Sequence, residues 1–307
     1  MEFQEFAQSQ SEIPSVDEVL DHTLKQMSTF MTDVGEKKAK GFISDTLAEI
    51  SRMDTVAKNR FSHIPKTQEE AAKIRAIIAI SGPGTYQRRK KEDKYKEYKW
   101  AENMDHNRLE YTGFLIRKLT EAKTGQRLVN DPDLFYDYIE KFAPELFYTG
   151  NAEETTDVLQ SLQLDRIHMP HSKVHILGKS IQNTVDQVEQ LALPQGFDLK
   201  PGEQIGFVLH SPQAVRLMRN MGAIADKNRV AQERGETLPF PSFPFTEEGG
   251  QVRIFPLPIP SFIPDPNNPS IRVKAKEYVA NEVRGLVYYT FYASPPLARE
   301  TSFPYQT

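Results

Sequence analysis

The sequence predicts an α/β fold: a parallel sheet with helices on both faces, carrying an N-terminal helical extension. Three observations predict it. The run "IRAIIAI" (74–80) is apolar and rich in branched residues at all positions but Arg75, as in a strand buried on both faces. Beyond it, apolar strand-length runs alternate with helical periodicity as far as residue 290. Before it, the apolar residues recur at helical spacing only.

The elements follow in chain order. Ser15 with Glu18 forms a capping box ahead of Val16, Val19, Leu20, Leu24, Met27 and Met31. Phe42, Ile43, Leu47, Ile50 and Met53 line one face of a second helical stretch, and Thr67 with Glu70 opens a third. Residues 1–70 are therefore expected as a helical extension that buries its stripes against the main domain, residues 71–307. A helix is predicted near 103–123, then a strand at 145–150, a helix at 152–163, a strand at 173–177 and a helix at 183–193. Strand 204–210, a helix over 212–234, strand 252–257 and a helix over 271–290 complete the series. The segment 239–269 holds nine prolines interleaved with Phe, Ile and Leu. Proline removes donors and fixes φ, so this segment is expected mostly as loop packed onto the domain.

Composition narrows the function classes. The chain has 307 residues, a formal net charge of −4 and no cysteine. Disulfides, thiolate metal sites and a Cys nucleophile are excluded. Neither nucleic acid nor a membrane surface is an expected partner, because the overall charge is acidic. The N-terminal "MEFQEFAQSQSEIPS" lacks a basic region and an apolar core, and no apolar run approaches the roughly 20 residues of a bilayer span. A soluble, cytoplasmic protein is expected. The run "QRRKKEDKYKEYKW" (87–100) sets seven Lys/Arg against three acids. It reads as a solvated face or as a lid that attracts phosphate. The histidines of "HMPHSKVH" have no carboxylate cluster beside them, so no metal is implied. No GxSxG elbow occurs either.

Ligands of open parallel sheets bind at the carboxyl ends of the strands. All four junctions there are small and polar. After the first strand, Gly82 and Gly84 would let the backbone approach a ligand, or simply turn the chain. After the second come Gly150, Asn151 and Glu154; an acid here suits the helix dipole and could also accept from a sugar hydroxyl or an amine. "GKSIQNT" follows the third strand, and its Ser180, Asn183 and Thr184 exceed what one cap needs. "HSPQAVR" follows the fourth, with His210, Gln213 and Arg216. Arg108 lies near the start of the helix "MDHNRLEYTGFLIRKL". Anionic recognition would fall to Arg108 and Arg216, and catalytic roles to Glu154 and His210.

Across residues 74–260 this order of junctions resembles the YdcF/SanA/ElyC-like family, a bacterial domain of unknown function, with "SIQNT" the most specific part. The resemblance implies a Rossmann-like fold and, for some members, binding of S-adenosylmethionine. It implies ligand contacts from Gly82, Gly84, Arg108, Gly150, Glu154, Ser180, Asn183, Thr184 and Arg216. Two departures stand out. The family's "SGG" turn is here "TGN" (149–151), and its fourth-junction His falls on Gln213, three residues after His210. The expected activity is binding of a nucleotide-like or phosphorylated small molecule, with group transfer or hydrolysis. The alternative is a non-catalytic interaction protein that keeps the fold.

Overall fold

The computed structural model describes residues 13–80, 104–128, 132–149, 169–177, 199–237, 252–259, 262–264 and 272–293. Five strands form one parallel sheet: β1 (Ile74–Ile80), β2 (Glu145–Thr149), β3 (Val174–Leu177), β4 (Gln204–His210) and β5 (Val252–Leu257). Their order is β3-β2-β1-β4-β5. The chain builds outward from β1 to β3, then returns to place β4 on the other side of β1. The strand order reverses between β1 and β4.

The helices are α1 (Val16–Leu24), α2 (Phe30–Val34), α3 (Glu36–Lys58), α4 (Gln68–Lys73), α5 (Met104–Thr124), α6 (Pro132–Phe142), α7 (Ser211–Glu233) and α8 (Ala275–Phe291). Ser15 starts α1 with the expected capping box: its hydroxyl accepts from the Glu18 N–H, and the Glu18 carboxylate accepts from the Ser15 N–H. Thr67 accepts from the Glu70 N–H at the start of α4. The helices predicted over 152–163 and 183–193, and the basic run 87–100, lie outside the described residues.

Strand alternation divides the core in two. Ala76, Ile78 and Ile80 of β1 face one cluster with Phe207, Ile254, Val19, Phe30, Ile43, Ile50, Met218 and Val283. Ile77 and Ala79 face the other, with Tyr111, Leu115, Ile116, Leu119 and Ile139. The register of β1 on β4 slips between Ile74 and Ala76, and Ile74 joins the second cluster. A bulge of this kind redirects a side chain locally. The helices before residue 60 thus share the first cluster with the sheet, α7 and α8. Arg219 of α7 fastens α3 from the side: its Nε donates to Glu49 Oε2 at 2.9 Å and its Nη1 to Thr46 Oγ1 at 2.9 Å.

Two differences from the sequence expectation concern short elements. The last helix begins at Ala275, not near 271, because Arg272–Lys274 forms a strand, β7, antiparallel to β6 (Phe262–Pro264). The Pro-rich segment thus supplies β6 as well as β5. Pro256 fits in β5 because that strand is the edge of the sheet, where a missing donor need not break a ladder. Helix α6 was not foreseen. Its signals are present: Pro132 at the first helical position, then Phe135, Tyr138, Ile139 and Phe142 along one face.

Candidate functional site

The described residues of the candidate site gather at the carboxyl ends of β1 and β4. Helix α5 comes after β1 and packs with the second core cluster, while α7 comes after β4 and packs with the first. The two helices lie on opposite faces of the sheet, and the strand order reverses between them. A crevice at such a point is where doubly wound sheets take their ligands.

Arg108, on the second turn of α5, is 1% exposed. Its Nη1 donates to the carbonyl of Ile80, the last residue of β1, and to Gln213 Oε1 at 3.2 Å. Gln213 is the third residue of α7. One guanidinium therefore reaches from the helix after β1, over the end of that strand, to the helix after β4. The backbone N–H groups of the first turn of the 23-residue α7 add partial positive charge at the end of β4. Pro212 occupies the second helical position, where no intrahelical donor is lost.

His210 ends β4 and is the N-cap residue of α7. It pairs in register with Leu257 and is 3% exposed. Its side chain makes no capping bond to α7. Instead, Nδ1 lies 2.7 Å from the Pro258 carbonyl. A carbonyl only accepts, so Nδ1 carries the proton, and in the neutral ring the lone pair lies on Nε2. Beside it, the Ser211 hydroxyl donates to the Leu257 carbonyl at 2.8 Å. The loop after β5 is held in turn by α3: the Ile259 N–H donates to Asp54 Oδ1 at 2.7 Å. Asp54 is 2% exposed, and Lys58 lies 3.0 Å from its other oxygen.

Of the residues singled out in the sequence, Arg108 and Gln213 are in direct contact, and His210 shares their edge of the sheet. Arg216 is turned elsewhere: its Nη1 lies 3.0 Å from Glu282 of α8. Gly82, Gly84, Gly150, Asn151, Glu154, Ser180, Asn183 and Thr184 lie outside the described residues. Sequence reasoning missed Asp54 and Ser211. Asp54 left a signal, for it interrupts the apolar stripe Ile50, Met53, Ala57 of α3, where a carboxylate needs a buried partner.

The opposite ends of the strands are also charged, and most of the charges there are engaged in ion pairs. Arg75 pairs with Glu203 at 2.5 Å, and Lys173 with Glu145 at 2.7 Å. His175, weighed above with the other histidines, pairs with Glu145 at 2.9 Å and stacks on Phe147. Among the described residues, no group of three or more His, Asp or Glu gathers as a metal site. No helix among them is long and apolar enough to cross a membrane.

Comparison of the chain with protein-family models, with curated proteins and with solved structures gives no match.

Proposed function

We propose that this chain binds an anionic small molecule, nucleotide-like or phosphorylated, in the crevice outside the carboxyl ends of β1 and β4. The observation that carries the proposal is the buried guanidinium of Arg108, set between Ile80 and Gln213 where the strand order reverses. A planar cation there, facing the start of a long helix, suits a phosphate or carboxylate better than a neutral ligand. Gln213 would orient the guanidinium, and the N–H groups of the first turn of α7 would share the anion. His210, with its lone pair on Nε2, would be the base in a group transfer or a hydrolysis. S-adenosylmethionine enters from the resemblance to YdcF/SanA/ElyC-like proteins, together with roles for Gly82, Gly84, Gly150, Asn151, Glu154, Ser180, Asn183 and Thr184.

The test is calorimetric titration with AMP, ATP, glucose 6-phosphate and S-adenosylmethionine, with adenosine as the uncharged control. At least one charged probe should bind. Arg108→Lys keeps the charge and loses the fork, and should weaken that probe about tenfold, or about 1.4 kcal/mol. Binding by none of the probes, or equal binding by a folded Arg108→Lys protein, refutes the proposal.

A second function is favoured by one observation. Arg216, the other expected anion contact, is engaged by Glu282. A protein that kept the fold as an interaction module without catalysis would tolerate that loss. Such a protein would bind none of the probes and would co-purify with a stable macromolecular partner.

A further inference from the structure

Two hydrogen bonds described above meet on a single peptide group. Pro258 contributes its C=O and Ile259 its N–H, and these belong to the same Pro258–Ile259 peptide unit. The N–H donates to Asp54 Oδ1 at 2.7 Å, and the C=O accepts from His210 Nδ1 at 2.7 Å. In a trans peptide the two groups point in opposite directions, so carboxylate, peptide and imidazole form one continuous chain. Asp54 and His210, its two ends, are 2% and 3% exposed. A carboxylate pulling on an amide N–H polarises the carbonyl of the same unit and makes it a stronger acceptor, most of all where water is excluded.

We infer that Asp54 is a positioning residue for His210, acting through the Pro258–Ile259 peptide to keep the ring proton on Nδ1 and the lone pair on Nε2. In hydrolytic enzymes a carboxylate commonly does this to histidine by direct contact. Here the Pro258–Ile259 peptide stands between carboxylate and ring and carries the effect between them. Asp54 is 205 residues from Ile259 in the chain, so the N-terminal helices set the chemical state of a group at the candidate site. Lys58 lies 3.0 Å from Asp54 Oδ2, and its charge draws on the same carboxylate. The inference deepens the proposed function and rests on it for the use of Nε2, but its test needs no ligand.

The experiment is long-range proton–nitrogen NMR of the full chain, 15N-labelled and ligand-free, at a pH where the ring is neutral. In the wild type, His210 should be protonated on Nδ1, and the Ile259 amide proton should lie far downfield. Asp54→Asn keeps an oxygen for the Ile259 N–H but removes the charge. The Ile259 signal should then move upfield, and the His210 proton should shift in part from Nδ1 to Nε2. Lys58→Gln, at a half-exposed position, should move both signals the other way. It also supplies the decisive comparison if Asp54→Asn fails to fold. A wild-type ring protonated on Nε2 overturns the inference. So does a variant that moves the Ile259 amide and leaves the ring unchanged, because Asp54 would then only tie down the loop. A failed ligand titration would leave the ring result standing, and a failed ring result would leave Arg108 untouched.

Discussion

Gly206 sits in the middle of β4, opposite Ile77 of β1 and Arg253 of β5. A Cβ added there would lie 2.5 and 2.9 Å from two ring carbons of Phe255 and 2.7 Å from Ile77 Cδ1. Ordinary contacts begin near 3.4 Å. The Ile77 methyl ends a side chain and can swing away. The Phe255 ring is fully buried and has the Arg253 guanidinium over it at 5.6 Å, so relief requires moving the ring by about 1 Å. Overpacking of this kind costs about 1–3 kcal/mol. Replacing a strand glycine by alanine returns about 0.5–1 kcal/mol of backbone entropy. Three atoms closer than 3.0 Å put this site in the upper half of that range, so Gly206→Ala should lose about 1–2.5 kcal/mol in urea unfolding, with an unchanged m-value. The same substitution in a Phe255→Leu background meets an opened space and should cost nothing or stabilise. A loss under 0.5 kcal/mol, or an equal loss in both backgrounds, would refute the packing argument.

Three further outcomes are expected. Glu203 is held below the usual carboxylate range: burial raises it, but its bond from the Lys200 N–H and its ion pair with Arg75 together outweigh burial. A lowered folded-state value means that the stabilisation is present above the unfolded-state value, about 4.3, and is lost as pH falls through the folded one. Wild type should thus exceed Glu203→Gln in stability at pH 7, and urea titrations of the two should converge in acid. Arg219 and Glu49, both mostly buried, should couple by about 1–2 kcal/mol in a cycle of Arg219→Met and Glu49→Gln, and Arg219→Lys should not restore the coupling. Arg108→Lys should weaken the charged probe about tenfold, as set out above.

The sheet was legible because its strands announce themselves. "QIGFVLH" is buried from end to end and "IRAIIAI" at every position but Arg75, and their bounds are as expected. Helix α6 and the β6–β7 pair were less legible for different reasons. The stripe of residues 132–142 spans only 11 residues, whereas β7 is three residues whose pairing partner lies eight to twelve positions earlier. At the candidate site, parallel topology pointed to the carboxyl ends of the strands, and Arg108 and Gln213 meet there. Nothing in the sequence said that Arg216 would turn to Glu282, because within one turn of helix Gln213 meets Arg108 of α5 and Arg216 meets α8. Asp54 shows in the sequence as a carboxylate within an apolar stripe, but its partner does not. Its role depends on a peptide more than 200 residues away, and no local pattern encodes that distance.

The first core cluster joins Val19 to Val283, and α1 is clasped to α8 by bonds between His22 and Asn281 and between Glu18 and Lys276. On the ribosome these partners do not emerge together. At about 5–20 residues per second, the apolar face of α1 is exposed for roughly 10–50 s before α8 exists to cover it. For that interval the nascent chain presents the surfaces that holding chaperones bind. Native contacts of such long sequence separation also place this chain among the slower folders for its size. α3 meets β5 and α7 as they emerge, but α1 waits for α8.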